Sequence, residues 1–166
     1  MLECICGDGR KISLLVIFKG ESIQTLWIPS ESNNDWSWSS NTKGWTCDAI
    51  GEDWIKTVFE PETGAKASGA TRLLVVYGHD SHITAPFIRF CMDHDIMVLL
   101  LPPHSSHLMQ PLDVHVGIFS LLKRRMSEEL DKILRYGYSN IKKFEWANCY
   151  RLARPDAIKL SNVKSA

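Results

Sequence analysis

Long hydrophobic runs are missing from this chain. The two longest, Leu14 to Phe18 and Ile96 to Leu101, fall well short of the ~20 residues needed to cross a bilayer, so no membrane-spanning segment is expected. Net charge is missing too: 19 basic and 19 acidic residues cancel, which separates the whole chain from the strongly basic polyanion binders. Cysteine pairing is also absent as a pattern. The five cysteines at 4, 6, 47, 91 and 149 are odd in number and irregular in spacing, so a disulfide framework is not expected. Zinc held through Cys4-x-Cys6 is a competing reading, but structural sites space their cysteines more widely and no second pair is present. There is no internal repeat and no low-complexity tract. The opening MLECICGDGRK puts charge and glycine where a secretory signal needs an apolar stretch, so no export signal is expected and an intracellular compartment is the default.

What is present is ordinary globular composition, 45% hydrophobic and 23% charged over 166 residues, enough for one domain with one core. The charge is uneven. Residues 123–166 hold eleven basic and five acidic residues, and Lys123, Arg124 and Arg125 open this segment as candidate phosphate contacts. The alternative is a solvated helix face, since Glu128, Glu129 and Asp131 are interleaved.

Periodicity gives a coarse order of elements. Leu2 to Cys6 and Lys11 to Phe18 bracket Gly7-Asp8-Gly9, a hairpin signal. Residues 21–48 read as a long loop tacked down by Trp27, Trp36, Trp38 and Trp45, packing anchors in preference to a base-stacking platform. A helix starts at Asp48, with Ile50, Trp54, Ile55, Val58 and Phe59 at helical spacing, and Pro61 stops it. Residues 61–70 then form a connection. Leu73 to Val76 and Ile96 to Leu101 are short apolar runs of the buried parallel type, with a helix over 84–94 between them. Pro102-Pro103 ends the second run, a loop follows to about residue 112, and 113–136 read as a long amphipathic helix ending near Gly137. The sum is an α/β layered pattern.

All six histidines lie between His79 and His115. The segments Tyr77 to His82 (YGHDSH) and Pro102 to Val114 (PPHSSHLMQPLDV) directly follow the two apolar runs, and strand carboxyl ends are where open α/β sheets place ligands. Polar side chains should converge there on one crevice.

The pair LLVVYGHDSH and LLLPPHSSHLMQPLDV resembles the signature of the DDE-1 endonuclease domain of pogo and Tigger transposases and their relatives of the centromere protein B and jerky type. ECICGDGRKISLLVIFKG, NTKGWTCDAIGEDWIKTVFEP, GIFSLLKRRMSEEL and KKFEWANCYRLAR extend the likeness over nearly the whole chain. The resemblance implies an α/β, RNase H-like mixed sheet flanked by helices, with a DDE-1 domain over 1–136 and a trailing helical extension over 137–166. It implies action on DNA in the nucleus, not on a small molecule or a membrane. It also implies carboxylates that hold Mg2+ or Mn2+ for phosphodiester chemistry, because such ions want hard anionic oxygen ligands.

The third carboxylate of the resemblance maps onto Asp113 and the second onto Tyr77. A tyrosine phenol, with its ordinary pKa of about 10, is neutral at pH 7 and offers no anion. Asp80 is a candidate substitute, displaced by roughly 10 Å of extended chain. Gly78, His79, Asp80, His82, His104, His107 and Gln110 line the implied site, and a zinc reading of the paired H-x-x-H histidines competes with that role. The first carboxylate sits on a strand upstream of the hairpin and has no counterpart here. Without that central strand, the two halves of the sheet should be left with unpaired edges. The expectation is a truncated, degenerate endonuclease domain that retains DNA binding and has lost catalysis, with a protein-interaction module or a residual metal-dependent nuclease as alternatives.

Overall fold

In a computed structural model, described over residues 1–32, 36–77, 84–113 and 117–165, the chain is a mixed α/β structure with small parallel sheets. In chain order the elements are β1 (Leu14–Lys19), a single 3-10 turn (Thr25–Trp27), β2 (Trp36–Asn41), α1 (Asp48–Trp54), a π turn (Ile55–Phe59), α2 (Glu60–Ala67), β3 (Arg72–Tyr77), α3 (Ala85–Asp93), β4 (Ile96–Leu101), α4 (Ser106–Met109), α5 (Ile118–Arg135), α6 (Lys143–Ala157) and α7 (Leu160–Ser165).

The expected hairpin exists as two antiparallel bridges, Leu2 with Leu15 and Ile5 with Lys11. β1 pairs in parallel with β2, Leu14 opposite Trp36, and β3 pairs in parallel with β4, Arg72 opposite Ile96. No ladder joins the two pairs among the described residues.

β1 organises the packing. Its Leu15 and Ile17 join Ile12 and face the α1–α2 run and α3, packing with Trp54, Ile55, Phe59, Phe87 and Cys91. Its Leu14, Val16 and Phe18 face the other way, against Leu112, Ile118 and Leu122 of the α5 region and Ala147, Tyr150 and Ala153 of α6. This is the period-two alternation of a strand buried on both faces. Leu74 and Ile96 of the second sheet belong to the same core as Leu15, so both sheets rest on one helical layer. A buried ion pair ties the chain ends together. Arg154 donates to both Glu3 oxygens, at 2.8 and 2.9 Å, and to the Ile12 carbonyl, while Tyr150 donates its hydroxyl to Glu3.

Four expectations need correction. The segment 21–48 is not all loop: β2 lies inside it, and the Trp-Ser alternation of WSWSSN puts Trp36 and Trp38 together on Phe18 and Tyr150. Trp27 also packs on Phe18, whereas Trp45 is exposed and anchors nothing. Pro61 does not stop the helix. The missing N–H falls at the start of α2, and the π turn before it re-pairs the backbone, with the Glu60 amide donating to the Ile55 carbonyl. Consequently 61–67 are helical and the connection is confined to the residues after the left-handed Ser68. The apolar run of β3 is not buried on both faces: Leu73, Val75 and Tyr77, with Met97 and Leu99 of β4, are exposed. Finally, the long helix begins at Ile118, five residues later than expected, and the loop before it contains α4.

Candidate active site

The two motif segments leave the sheet at the same end. Tyr77 closes β3 directly opposite Leu101, the last residue of β4, so both connections start side by side at the carboxyl edge. Arg72 fixes that pair from the opposite end. Its guanidinium donates to Glu60 at 2.6 Å, to the Thr63 hydroxyl at 2.9 Å and to the His94 carbonyl, while its amide donates to the Asp95 carbonyl. The helix that follows the first motif is started by Thr84, whose hydroxyl accepts from the Phe87 amide, with proline in its first turn.

The second segment is tightly turned. The Pro102 carbonyl accepts from the amide and the hydroxyl of Ser105, and this turn holds His104 in the left-handed region at φ 61°. Histidine adopts that conformation more readily than most residues, which fits a loop-shaping role. Gln110 accepts the Asp113 amide through its backbone carbonyl at 2.8 Å. Leu112 plugs the second core, and its carbonyl accepts the Phe119 amide at 2.9 Å. These bonds staple the Asp113 turn to the start of α5. Gly117 completes the junction, because a Cβ there would lie 2.7 Å from the Asp113 carbonyl carbon and oxygen. Asp113 is exposed.

Tyr77 is 40% exposed, with its ring on the open face of β3. Gly78, His79, Asp80 and His82 lie outside the described residues, as does the His107 side chain. Among the described residues no three His, Cys, Asp or Glu side chains come together as a cation site. A phenol and one carboxylate, all that positions 77 and 113 offer among the described residues, do not supply the oxygen ligands that a pair of divalent ions needs, so no metal-dependent step is assigned to this arrangement. All five cysteines are free, and burial pushes the Cys4 thiol up to about 12, the opposite of what a zinc thiolate or a nucleophile needs.

The candidate phosphate contacts Lys123, Arg124 and Arg125 sit on the second turn of α5. Arg125 is engaged by Glu128 at 2.7 Å and faces Asp156 at 3.6 Å, and Arg124 is 3.9 Å from Glu128. Lys123 is exposed. Arg72 and Gly117 went unnoticed in the sequence. A glycine directly before an amphipathic helix was a signal for the second, and nothing local announced the first.

A family model described as DDE superfamily endonuclease matches residues 1–166, the full chain. The chain belongs to the DDE superfamily endonuclease family. It is also 34% identical, over all 166 residues, to a protein of Cochliobolus lunatus named MFS-type transporter clz9, and spans 18% of that protein's length. No helix among the described residues of this DDE-family chain is long and apolar enough to cross a membrane. No solved structure matches. The family generally uses divalent metals, and no metal site is formed among the described residues.

Proposed function

We propose that this chain is a transposase-derived domain of the pogo and Tigger type, RNase H-like in architecture, which associates with DNA in the nucleus and whose phosphodiester chemistry is lost or severely impaired. One observation carries the reading: at the carboxyl end of β3, where the resemblance requires a metal-binding carboxylate, stands the half-exposed phenol of Tyr77. The cations we assign to phosphate contact are Lys123 and Arg124, both exposed on the second turn of α5.

The transport implied by the fungal relative's name belongs to a protein more than five times longer, and no helix among the described residues here is long and apolar enough to cross a membrane. An interaction module is the rival reading, favoured by the exposed apolar face of Leu73, Val75, Met97 and Leu99.

The test is fluorescence anisotropy of labelled duplex DNA titrated with the protein over a salt series. Affinity should fall linearly on logarithmic axes as salt rises, and Lys123→Gln should flatten the slope by about 0.9, the share of one phosphate contact. Absence of any DNA binding would overturn the reading and favour the interaction module.

A further inference from the structure

The turn between α5 and α6 gathers features that neither the metal-site motifs nor the start of α5 use. From Lys132 to Phe144 the sequence carries four basic residues and no acidic one. Within this stretch Tyr136 is 86% exposed and Tyr138 55% exposed. They flank Gly137, which turns the chain at φ 90° and has nothing within 4 Å of where a Cβ would stand.

Two adjoining hollows border the turn. One, of about 350 Å³, is lined by Tyr136, Tyr138, Asn140 and Lys142. The other, of about 640 Å³, is lined by Leu26, Trp27, Ile141, Lys142 and Phe144, with Gln24 and Glu145 at its polar side. Lys142 belongs to both.

The cations divide into committed and available groups. Lys132 pairs with Glu129 at 2.7 Å. Lys143 lies 3.3 Å over the Trp27 ring and donates to the Lys19 carbonyl, so that ring's face is already covered. The Glu145 carboxylate accepts the Lys142 amide at 3.0 Å, which turns it toward the backbone of the α6 start. Arg135 and Lys142 form no ion pair with any described residue, unlike Arg124 and Arg125 at the other end of α5.

Two rings that protrude into solvent beside uncompensated cations match what an unpaired strand offers, flat apolar base faces spaced along a line of phosphates. A duplex offers its phosphates but keeps its base faces stacked inside, so the tyrosines would gain nothing from it. An apolar peptide would use the rings but leave the local positive charge unanswered. We propose that the α5–α6 turn is a contact site for single-stranded nucleic acid, in which Tyr136 and Tyr138 stack on bases while Arg135 and Lys142 meet phosphates. The inference rests on the nucleic-acid reading above but occupies a surface separate from Tyr77 and Asp113.

The experiment is an anisotropy titration of the whole chain with fluorescein-labelled oligothymidylate, with inorganic polyphosphate as competitor. Tyr136→Ala combined with Tyr138→Ala should weaken binding by at least about tenfold, with duplex affinity unchanged. Arg135→Gln with Lys142→Gln should flatten the salt slope by roughly 1.4, two single-strand contacts. All four side chains are at the surface, and circular dichroism checks that the fold is intact. Oligothymidylate binding that the tyrosine pair does not affect overturns this placement and leaves the nucleic-acid reading standing. Polyphosphate competing as well as unlabelled oligothymidylate overturns stacking. No binding to either strand form overturns both readings.

Discussion

Gly117 and Asp113 are packed backbone to backbone: a Cβ on the glycine would stand 2.7 Å from the aspartate's carbonyl carbon and oxygen. The contact sets where the Asp113 carboxylate leaves the turn, because the Asp113 amide is already held by Gln110 and Leu112 is held by Phe119. Gly117→Ala must therefore move backbone instead of a side chain. We expect it to cost ~1–3 kcal/mol, in the range of other overpacking substitutions, read as a lower urea midpoint with unchanged slope. A midpoint equal to that of the unsubstituted protein would show that the junction is loose.

The Glu3–Arg154 pair closes the fold across 151 positions of sequence, with the arginine side chain 2% and the glutamate side chain 0% exposed. Arg154→Met leaves the carboxylate buried with Tyr150 as its one remaining donor among the described residues, and should cost ~3–5 kcal/mol. Adding Glu3→Gln should recover part of that loss, since an uncompensated charge is what makes the single change severe. Chemical denaturation of the two variants decides the matter. Equal stability of single and double variants would contradict it.

Alkali should unfold the protein through groups that keep their protons only when folded. Burial raises Cys4 from 9.0 to about 12, helped by Cys6, Glu3 and Glu62. Burial beside Glu3 likewise pushes up the Tyr150 phenol. Unfolded, both groups ionise near their ordinary values, so the unfolded chain binds fewer protons and stability declines as pH climbs. The contribution is whole below pH ~9 and is lost progressively toward pH ~12. Thermal melts across that window should fall, and Cys4→Ser should make the fall shallower. A Cys4→Ser profile parallel to that of the unsubstituted protein would exclude the thiol.

Tyr77→Asp should return an anionic oxygen to the end of β3. Calorimetric titration with Mn2+ is expected to show affinity rising by ~tenfold or more, with Asp113→Asn removing the gain. No change on Tyr77→Asp would mean that positions 77 and 113 do not share an ion.

Much of this architecture is written in short-range patterns. The apolar runs 73–76 and 96–101 mark β3 and β4 because they are strand-length and bounded by proline or turn residues. The helical spacing of Ile50, Trp54 and Val58 marks the continuous run of α1 and the π turn on which they lie. β2 hides in a serine- and asparagine-rich stretch whose polar composition outweighs its Trp-Ser alternation. Pro61 looks like a terminator, yet it falls where a helical first turn tolerates it. At the site, local order places Tyr77 at the end of β3, opposite Leu101 at the end of β4, from which the second motif segment runs. The Gly117 contact with Asp113 is local, whereas the Arg72 clamp depends on which segments fold together, its partners Glu60 and His94 lying 12 and 22 positions away.

We propose that the tyrosine at position 77 has cost this DDE-family domain its phosphodiester chemistry. Incubation of the protein with supercoiled plasmid and Mg2+ or Mn2+ tests it most directly. The plasmid should stay supercoiled at protein concentrations that bind it. Metal-dependent nicking that Asp113→Asn abolishes would mean that the chemistry survives the tyrosine.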